Sequence, residues 1–243
     1  MIWMGGGGSA ICCQPAFWLL IFVASVGLVL AIGSTVGLAR AAWFAGAAEL
    51  AISRLVVVQA PLALRAAVVR TGGGKVRCVD SASADAFCAG LFRPRVYVTT
   101  ALAHRLGADE LEAVLLHEAE HARRRDPLRR ALSRAFAQVF FFLPIVRWWS
   151  NHELESSEVR ADRCAIDSIG PRPLAAALWA LSGESGLGIV PAFAGAAELR
   201  VAQILGDPLP RRSPSAWLWV ISGAGLTGIA YLLFCPTSLL LTH

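Results

Sequence analysis

Two long apolar stretches lie towards the ends of the sequence, at residues 16–38 and 216–235. Each has about the 20 residues that an α-helix needs to cross the hydrocarbon core of a bilayer. We therefore predict two transmembrane helices, with outer tails at residues 1–15 and 236–243. A cleaved signal peptide is the alternative for the first stretch, but such a peptide begins with a basic segment, and no basic residue precedes it.

Between these stretches, the pattern predicts a domain at residues 40–215 that is mainly α-helical with a small β-sheet. Apolar residues recur at helical spacing in several segments. Helices are predicted at residues 40–70, with an interruption at Pro61, and at 109–125, 152–168 and 173–181. Short segments rich in β-branched residues predict strands at Val76–Val79 and Arg95–Thr99. Residues 88–94 are expected to connect the two strands.

A third apolar run, residues 135–149, is too short to cross a bilayer. Its 15 residues extend only about 22 Å as a helix, and they include Pro144 and Arg147. We expect a helix that lies in the membrane interface or is buried in the protein.

Charge is confined to the middle of the chain. Hydrophobic residues make up 56% and charged residues 16%, and all Lys, Arg, Asp and Glu lie between Arg40 and Arg212. Arg40 follows the first apolar stretch, and Arg211 and Arg212 precede the second. The positive-inside rule therefore predicts a multi-pass protein of the cell membrane, with a cytoplasmic domain and both termini outside. The net charge of +5 suits contact with the lipid bilayer, and the scattered arginines do not favour nucleic acid.

The sequence HEAEH contains a candidate metal site. His117 and His121 are four residues apart on a predicted helix, so both imidazoles can hold one Zn²⁺. Glu118 lies beside them, where it can act as the general base that takes a proton from the attacking water. The alternative is a solvated helix on which the two histidines are incidental.

A second predicted helix supplies carboxylates. Glu158 can complete a His₂Glu site for one Zn²⁺ per chain, and Asp162, one turn later, can accept the N–H of a ligating histidine. Glu153 and Glu155 are alternative ligands, although neither has an acidic residue four positions later.

Three segments resemble the BlaR/MecR-type membrane zinc metallopeptidases, and more distantly the Ste24 and heat-shock-type membrane proteases that share the gluzincin pattern. They are GLFRPRVYVTTAL, DELEAVLLHEAEHARRRDPL and ELESSEVRADRCA, within about residues 76–170. The resemblance implies the same roles for His117, Glu118, His121, Glu158 and Asp162. It also implies that Arg95–Thr99 is the edge strand of the cleft, with Arg95, Val96, Tyr97 and Val98 binding the substrate. Arg200 resembles an arginine near the end of the related domains. By this resemblance Arg200 could polarise the scissile carbonyl, and a structural salt bridge is the alternative.

These observations predict a membrane-anchored zinc endopeptidase that cleaves proteins or peptides at the cytoplasmic face. The resemblance suggests a transcriptional repressor as the substrate, and membrane-protein quality control is the alternative. A non-catalytic membrane scaffold is a further alternative, which an intact Glu118 disfavours. The sensor-transducers of this group carry a penicillin-binding domain, whereas this sequence has no SxxK motif, so we do not expect it to be acylated by a β-lactam.

Overall fold

The computed structural model describes residues 15–72, 74–182, 191–210 and 212–241. Arg211, most of the predicted first outer tail and the last two residues lie outside them. In chain order, the described helices are α1 (Pro15–Ser53), α2 (Leu62–Arg70), α3 (Thr100–Arg105), α4 (Ala108–Arg124), α5 (Asp126–Val139), α6 (Pro144–Ile169), α7 (Pro171–Ser182), α8 (Pro191–Leu205) and α9 (Ala216–Leu241). The described strands are β1 (Val57–Val58), β2 (Val76–Val79), β3 (Ala86–Ala89) and β4 (Arg95–Thr99). The predicted fold class, mainly helical with a small sheet, is confirmed.

The chain divides into two compact units. The first contains the chain up to Ala39, residues Ala135–Trp148 and the chain from Ser213 onward. The second contains Arg40–Arg134 and Trp149–Arg212. Helices α1, α5 and α6 each contribute residues to both units.

The four strands form a mixed sheet in the second unit, in the order β1-β2-β4-β3. Strand β4 pairs in parallel with β2 and antiparallel with β3. The prediction that β4 is the edge strand is therefore wrong, because both of its sides are paired, and the edge on this side is β3. Part of the predicted connection at residues 88–94 is also wrong, since Cys88 and Ala89 belong to β3.

Helix α4 lies against β3, β4, α2 and α7. Leu111 and Leu115 of α4 are almost fully buried in one core cluster with Val98 of β4 and Leu64 of α2. Each such side chain contributes about 1.5–3 kcal/mol when it is removed from water. This packing fixes how α4 is rotated, and the residues on its remaining face form the site described below.

The sequence predicted one helix over residues 135–149, and this prediction is wrong. These residues comprise the end of α5, a turn at residues 140–143, and the start of α6 at Pro144. Proline suits the first position of a helix because the missing N–H has no partner there. The chain thus doubles back at this point, and the residues before and after the hairpin belong to the same second unit.

Helix α9 packs closely against this hairpin. The Ser222 hydroxyl accepts a hydrogen bond of 3.0 Å from the Ile145 N–H, one of the donors that a helix start leaves without a partner. A Cβ atom on Gly225 would lie 2.6 Å from the carbonyl oxygen of Phe142. Only glycine permits the two backbones to approach this closely.

Among the described residues, one helical segment, Leu19–Ser53, is long and apolar enough to cross a membrane. Ala216–Leu232 is a shorter apolar helix. Helix α9 continues to Leu241, beyond the predicted end of the second span at residue 235. The orientation and the number of crossings stay predictions.

Candidate metal centre

Helix α4 places the two histidines on one face. Its start is stabilised by the Glu110 carboxylate, which accepts a hydrogen bond of 2.8 Å from the Gly107 N–H. His117 and His121 are both buried, and their Nε2 atoms lie 3.1 Å apart. The four-residue spacing therefore brings both nitrogens to one point.

The junction of α4 and α5 adds a residue that the sequence analysis missed. Arg125 ends α4 in the left-handed conformation, with φ 55°, and α5 begins at the next residue. This reversal places the buried Asp126 with Oδ2 2.7 Å from His121 Nδ1. Asp126 was detectable as the single acidic residue in the basic run RRRDPLRR. It fixes the imidazole so that Nε2 is the atom presented to a metal.

Helix α6 brings the predicted carboxylates to the same place. The Glu158 oxygens lie 3.6 Å from His117 Nε2 and 3.5 Å from His121 Nε2. One donor atom from each of the three residues falls within a 4.8 Å cluster that can hold a metal ion. Asp162 is fully buried, and its Oδ1 lies 2.8 Å from His117 Nδ1, although the ring N–H is poorly aligned for a hydrogen bond. Each of the two imidazoles therefore has a carboxylate oxygen beside its Nδ1 atom.

The two alternative ligands, Glu153 and Glu155, form ion pairs with arginines. Glu153 Oε1 lies 2.7 Å from Arg129 and 3.1 Å from Arg160. Glu155 forms an ion pair of 3.1 Å with Arg212. Within the described part of the chain, Glu158 is the carboxylate that joins the histidines.

Arg200 forms the salt bridge that was given as the alternative to its catalytic role. Its Nε and Nη2 donate to the two oxygens of Asp162, at 2.6 and 2.8 Å. Its Nη1 lies 3.5 Å from Glu158. Arg200 therefore compensates the charge of a carboxylate that has no contact with solvent.

A second arginine, which the sequence analysis did not single out, belongs to the site. Arg130 Nη2 donates to Glu158 Oε1 at 2.5 Å and to the Ser157 hydroxyl at 3.1 Å. The same nitrogen lies 3.5 Å from His121 Nε2. Asp126 and Arg130 are four residues apart on α5, so one face of this helix supplies both.

The electrostatics of the site follow from burial and these contacts. Burial alone lowers the pKa of His117, but the Asp162 and Glu158 carboxylates outweigh it and raise the value to about 9. Burial raises the pKa of Glu158, yet contact with His117 and Arg130 holds it well below its usual range. For Glu118, burial dominates and raises the pKa. Glu118 is therefore a stronger base than an ordinary carboxylate.

The site opens into a cavity of about 300 Å³, which Glu118 and Arg130 both line. Residues Ala86, Phe87 and Cys88 of β3 form part of its wall. Of the residues predicted to bind the substrate, Val96, Tyr97 and Val98 are buried, and Arg95 is half-buried on the same central strand. The strand at the cavity is therefore β3.

Two histidines and a glutamate that meet in a cavity beside a further glutamate define the class of metallopeptidases. Residues 21–173, more than half of the chain, match the family model of BlaR1 peptidase M56, and the chain belongs to this family. It is a family of membrane-associated metallopeptidases. No curated protein matches the chain.

Proposed function

We propose that this protein is a zinc endopeptidase that cleaves protein substrates at the cytoplasmic face of the membrane. The observation that carries the proposal is the convergence of His117, His121 and Glu158 in a cavity that Glu118 also lines. A structural metal site needs no base and closes its coordination with a fourth protein ligand.

The donor set favours zinc. Two imidazoles and one carboxylate match its preferred ligands better than those of Mg²⁺ or Ca²⁺, which take mainly oxygen. Asp126 and Asp162 lie beside the Nδ1 atoms of the two histidines, and this supports zinc, since metal-ligating histidines usually have a carboxylate near the other ring nitrogen. When bound, the ion supplies Lewis-acid polarisation and lowers the pKa of water towards about 7.

The residues of the chain carry the proton transfers. Glu118 accepts a proton from the attacking water while the oxygen of that water bonds to the carbonyl carbon of the substrate. When the C–N bond breaks, Glu118 returns that proton to the leaving nitrogen, so the carboxylate is regenerated.

The edge of β3 that faces away from β4 is proposed to hold the substrate extended. The Thr99 N–H donates a hydrogen bond to the Asp85 carbonyl, on the β3 side of β4. The Val96 N–H donates to the Lys75 carbonyl, on the opposite side of β4. Because antiparallel pairs alternate, the N–H and C=O groups of Ala86 and Cys88 face away from β4. Both residues line the cavity, so a peptide added to this edge would pass the metal site.

Location and substrate belong to the same proposal. The arginines that flank the apolar stretches support a cytoplasmic domain with both termini outside. An extended protein segment is the chemical class of substrate. A regulatory repressor is the substrate that we favour from the resemblance, with unfolded membrane proteins as the alternative.

Metal removal tests the proposal. The full chain, purified in detergent, is incubated with a mixture of unstructured peptides, and the products are identified by mass spectrometry. We expect cleavage at internal bonds, its loss after chelation, and its recovery with Zn²⁺ but not with Mg²⁺. Zinc-loaded protein that cleaves no peptide would instead support the scaffold alternative.

A further inference from the structure

The cavity contains two guanidinium groups that differ in their partners. Arg200 directs Nε and Nη2 at Asp162, and its third nitrogen lies near Glu158. Its side chain is 21% exposed. All three of its nitrogens therefore face carboxylates of the protein.

Arg130 is held differently. Within the described residues, its hydrogen bonds are all made by Nη2, and Nη1 makes none. Its side chain is 40% exposed where it lines the cavity. The N–H groups of Nη1 are thus available to a bound molecule.

The position of Arg130 is fixed by α6. Nη2 is held by the Glu158 carboxylate and by the hydroxyl of Ser157, a buried residue that itself donates to the Leu154 carbonyl at 2.7 Å. The guanidinium is therefore placed beside a metal donor, 3.5 Å from His121 Nε2, before any substrate binds. Donors that are already oriented are the most effective at stabilising a developing charge.

We propose that Arg130 is a catalytic residue whose Nη1 donates to the carbonyl oxygen of the scissile bond in the transition state. As water adds to the carbonyl carbon, the π electron pair moves to that oxygen, which gains negative charge. As the C–N bond breaks, the pair returns to form the new carboxyl group, and the nitrogen takes the proton from Glu118. This inference rests on the proposed peptidase function, and it assigns to Arg130 the role that the sequence suggested for Arg200.

The test compares Arg130→Gln and Arg130→Lys with a matched control, Arg129→Gln. Arg129 is the neighbouring residue on α5 and pairs with Glu153, outside the cavity. All variants are prepared as zinc-loaded full chains in detergent. Zinc content and thermal unfolding are measured first, and both should match wild type.

For Arg130→Gln we expect kcat to fall by about 100-fold or more, the usual effect of losing one such donor. Arg130→Lys should recover part of the rate, and Arg129→Gln should keep it. A phosphinic peptide, which mimics the tetrahedral transition state, should bind Arg130→Gln more weakly by about the same factor. The uncleaved substrate peptide, measured in a Glu118→Gln background, should bind with unchanged affinity.

Several outcomes would overturn the inference. If Arg130→Gln left both kcat and the affinity for the phosphinic peptide unchanged, Arg130 would have no catalytic role. A change confined to KM would make Arg130 a ground-state binding residue, and loss of zinc would make it a support of the metal site. If zinc-loaded wild type neither cleaves peptides nor binds the phosphinic peptide, the proposed function itself fails, and this inference fails with it.

Discussion

Asp126 Oδ2 lies 2.7 Å from His121 Nδ1, and both side chains are almost completely buried. The contact exists because Arg125, the residue after α4, adopts a left-handed conformation and α5 begins at the next residue. A carboxylate in this position fixes the tautomer and the orientation of the imidazole. Asp126 thus gives His121 a hydrogen-bonded carboxylate at Nδ1, and the Asp162 carboxylate lies 2.8 Å from the same atom of His117.

Asp126→Asn should keep the fold and weaken zinc binding by about 10- to 100-fold, because the amide no longer supports the imidazole with a negative charge. Competition with a fluorescent zinc chelator measures the affinity. Asp167→Asn, at an exposed position of α6, is the control and should bind zinc like wild type. Equal zinc affinity in Asp126→Asn and wild type would show that the contact has no role in the metal site.

Arg200→Gln should lower the stability of the metal-free protein by about 3 kcal/mol, since it removes the guanidinium that pairs with the fully buried Asp162 carboxylate. Arg212→Gln, which breaks the exposed pair with Glu155, should cost less than about 1 kcal/mol. Thermal unfolding in a chelator compares the two. The double variant Arg200→Gln, Asp162→Asn should be more stable than Arg200→Gln alone, and the opposite order would contradict this account.

Cys88→Pro tests the substrate strand. Proline removes the backbone N–H that faces away from β4, and an edge strand tolerates it at such a position. We expect Cys88→Pro to reduce kcat/KM while zinc content is preserved. Cys88→Ala keeps the N–H and should cleave like wild type. Equal activity of the two variants would exclude strand addition at this edge.

Gly225→Val should destabilise the helical hairpin by about 1–3 kcal/mol, because the new side chain would overlap the Phe142 carbonyl. Gly228→Val is the matched control on the same helix, since a Cβ there meets no atom within 4 Å. Unfolding temperatures in one detergent should separate the two variants. Indistinguishable temperatures would mean that α9 does not pack against the hairpin as closely as described.

The sequence predicted those parts of the site that depend on local spacing. Helix α4, predicted at residues 109–125, is observed at Ala108–Arg124, and the four-residue periods of HEAEH and of Glu158 with Asp162 place their side chains on single helix faces. Because a helix has a fixed geometry, the spacing alone was sufficient.

Features that depend on long-range pairing were not predictable. RVYVT is rich in β-branched and aromatic residues, and it forms a central strand with partners on both sides. The edge strand is the less β-branched AFCA of β3. The roles of Asp126 and Arg130 depend on the chain reversal at Arg125, a residue type that rarely adopts a positive φ. An apolar run such as residues 135–149 has the same composition whether it forms one helix or a hairpin.

The central claim is that the site performs zinc-dependent hydrolysis with Glu118 as the base. The most direct measurement is the zinc content and the peptide cleavage of Glu118→Gln beside wild type, both as full chains in detergent. Glutamine keeps the size of the side chain and removes no ligand, so we predict one zinc per chain in both proteins and a loss of nearly all cleavage in the variant. Cleavage by Glu118→Gln at the wild-type rate would contradict the account.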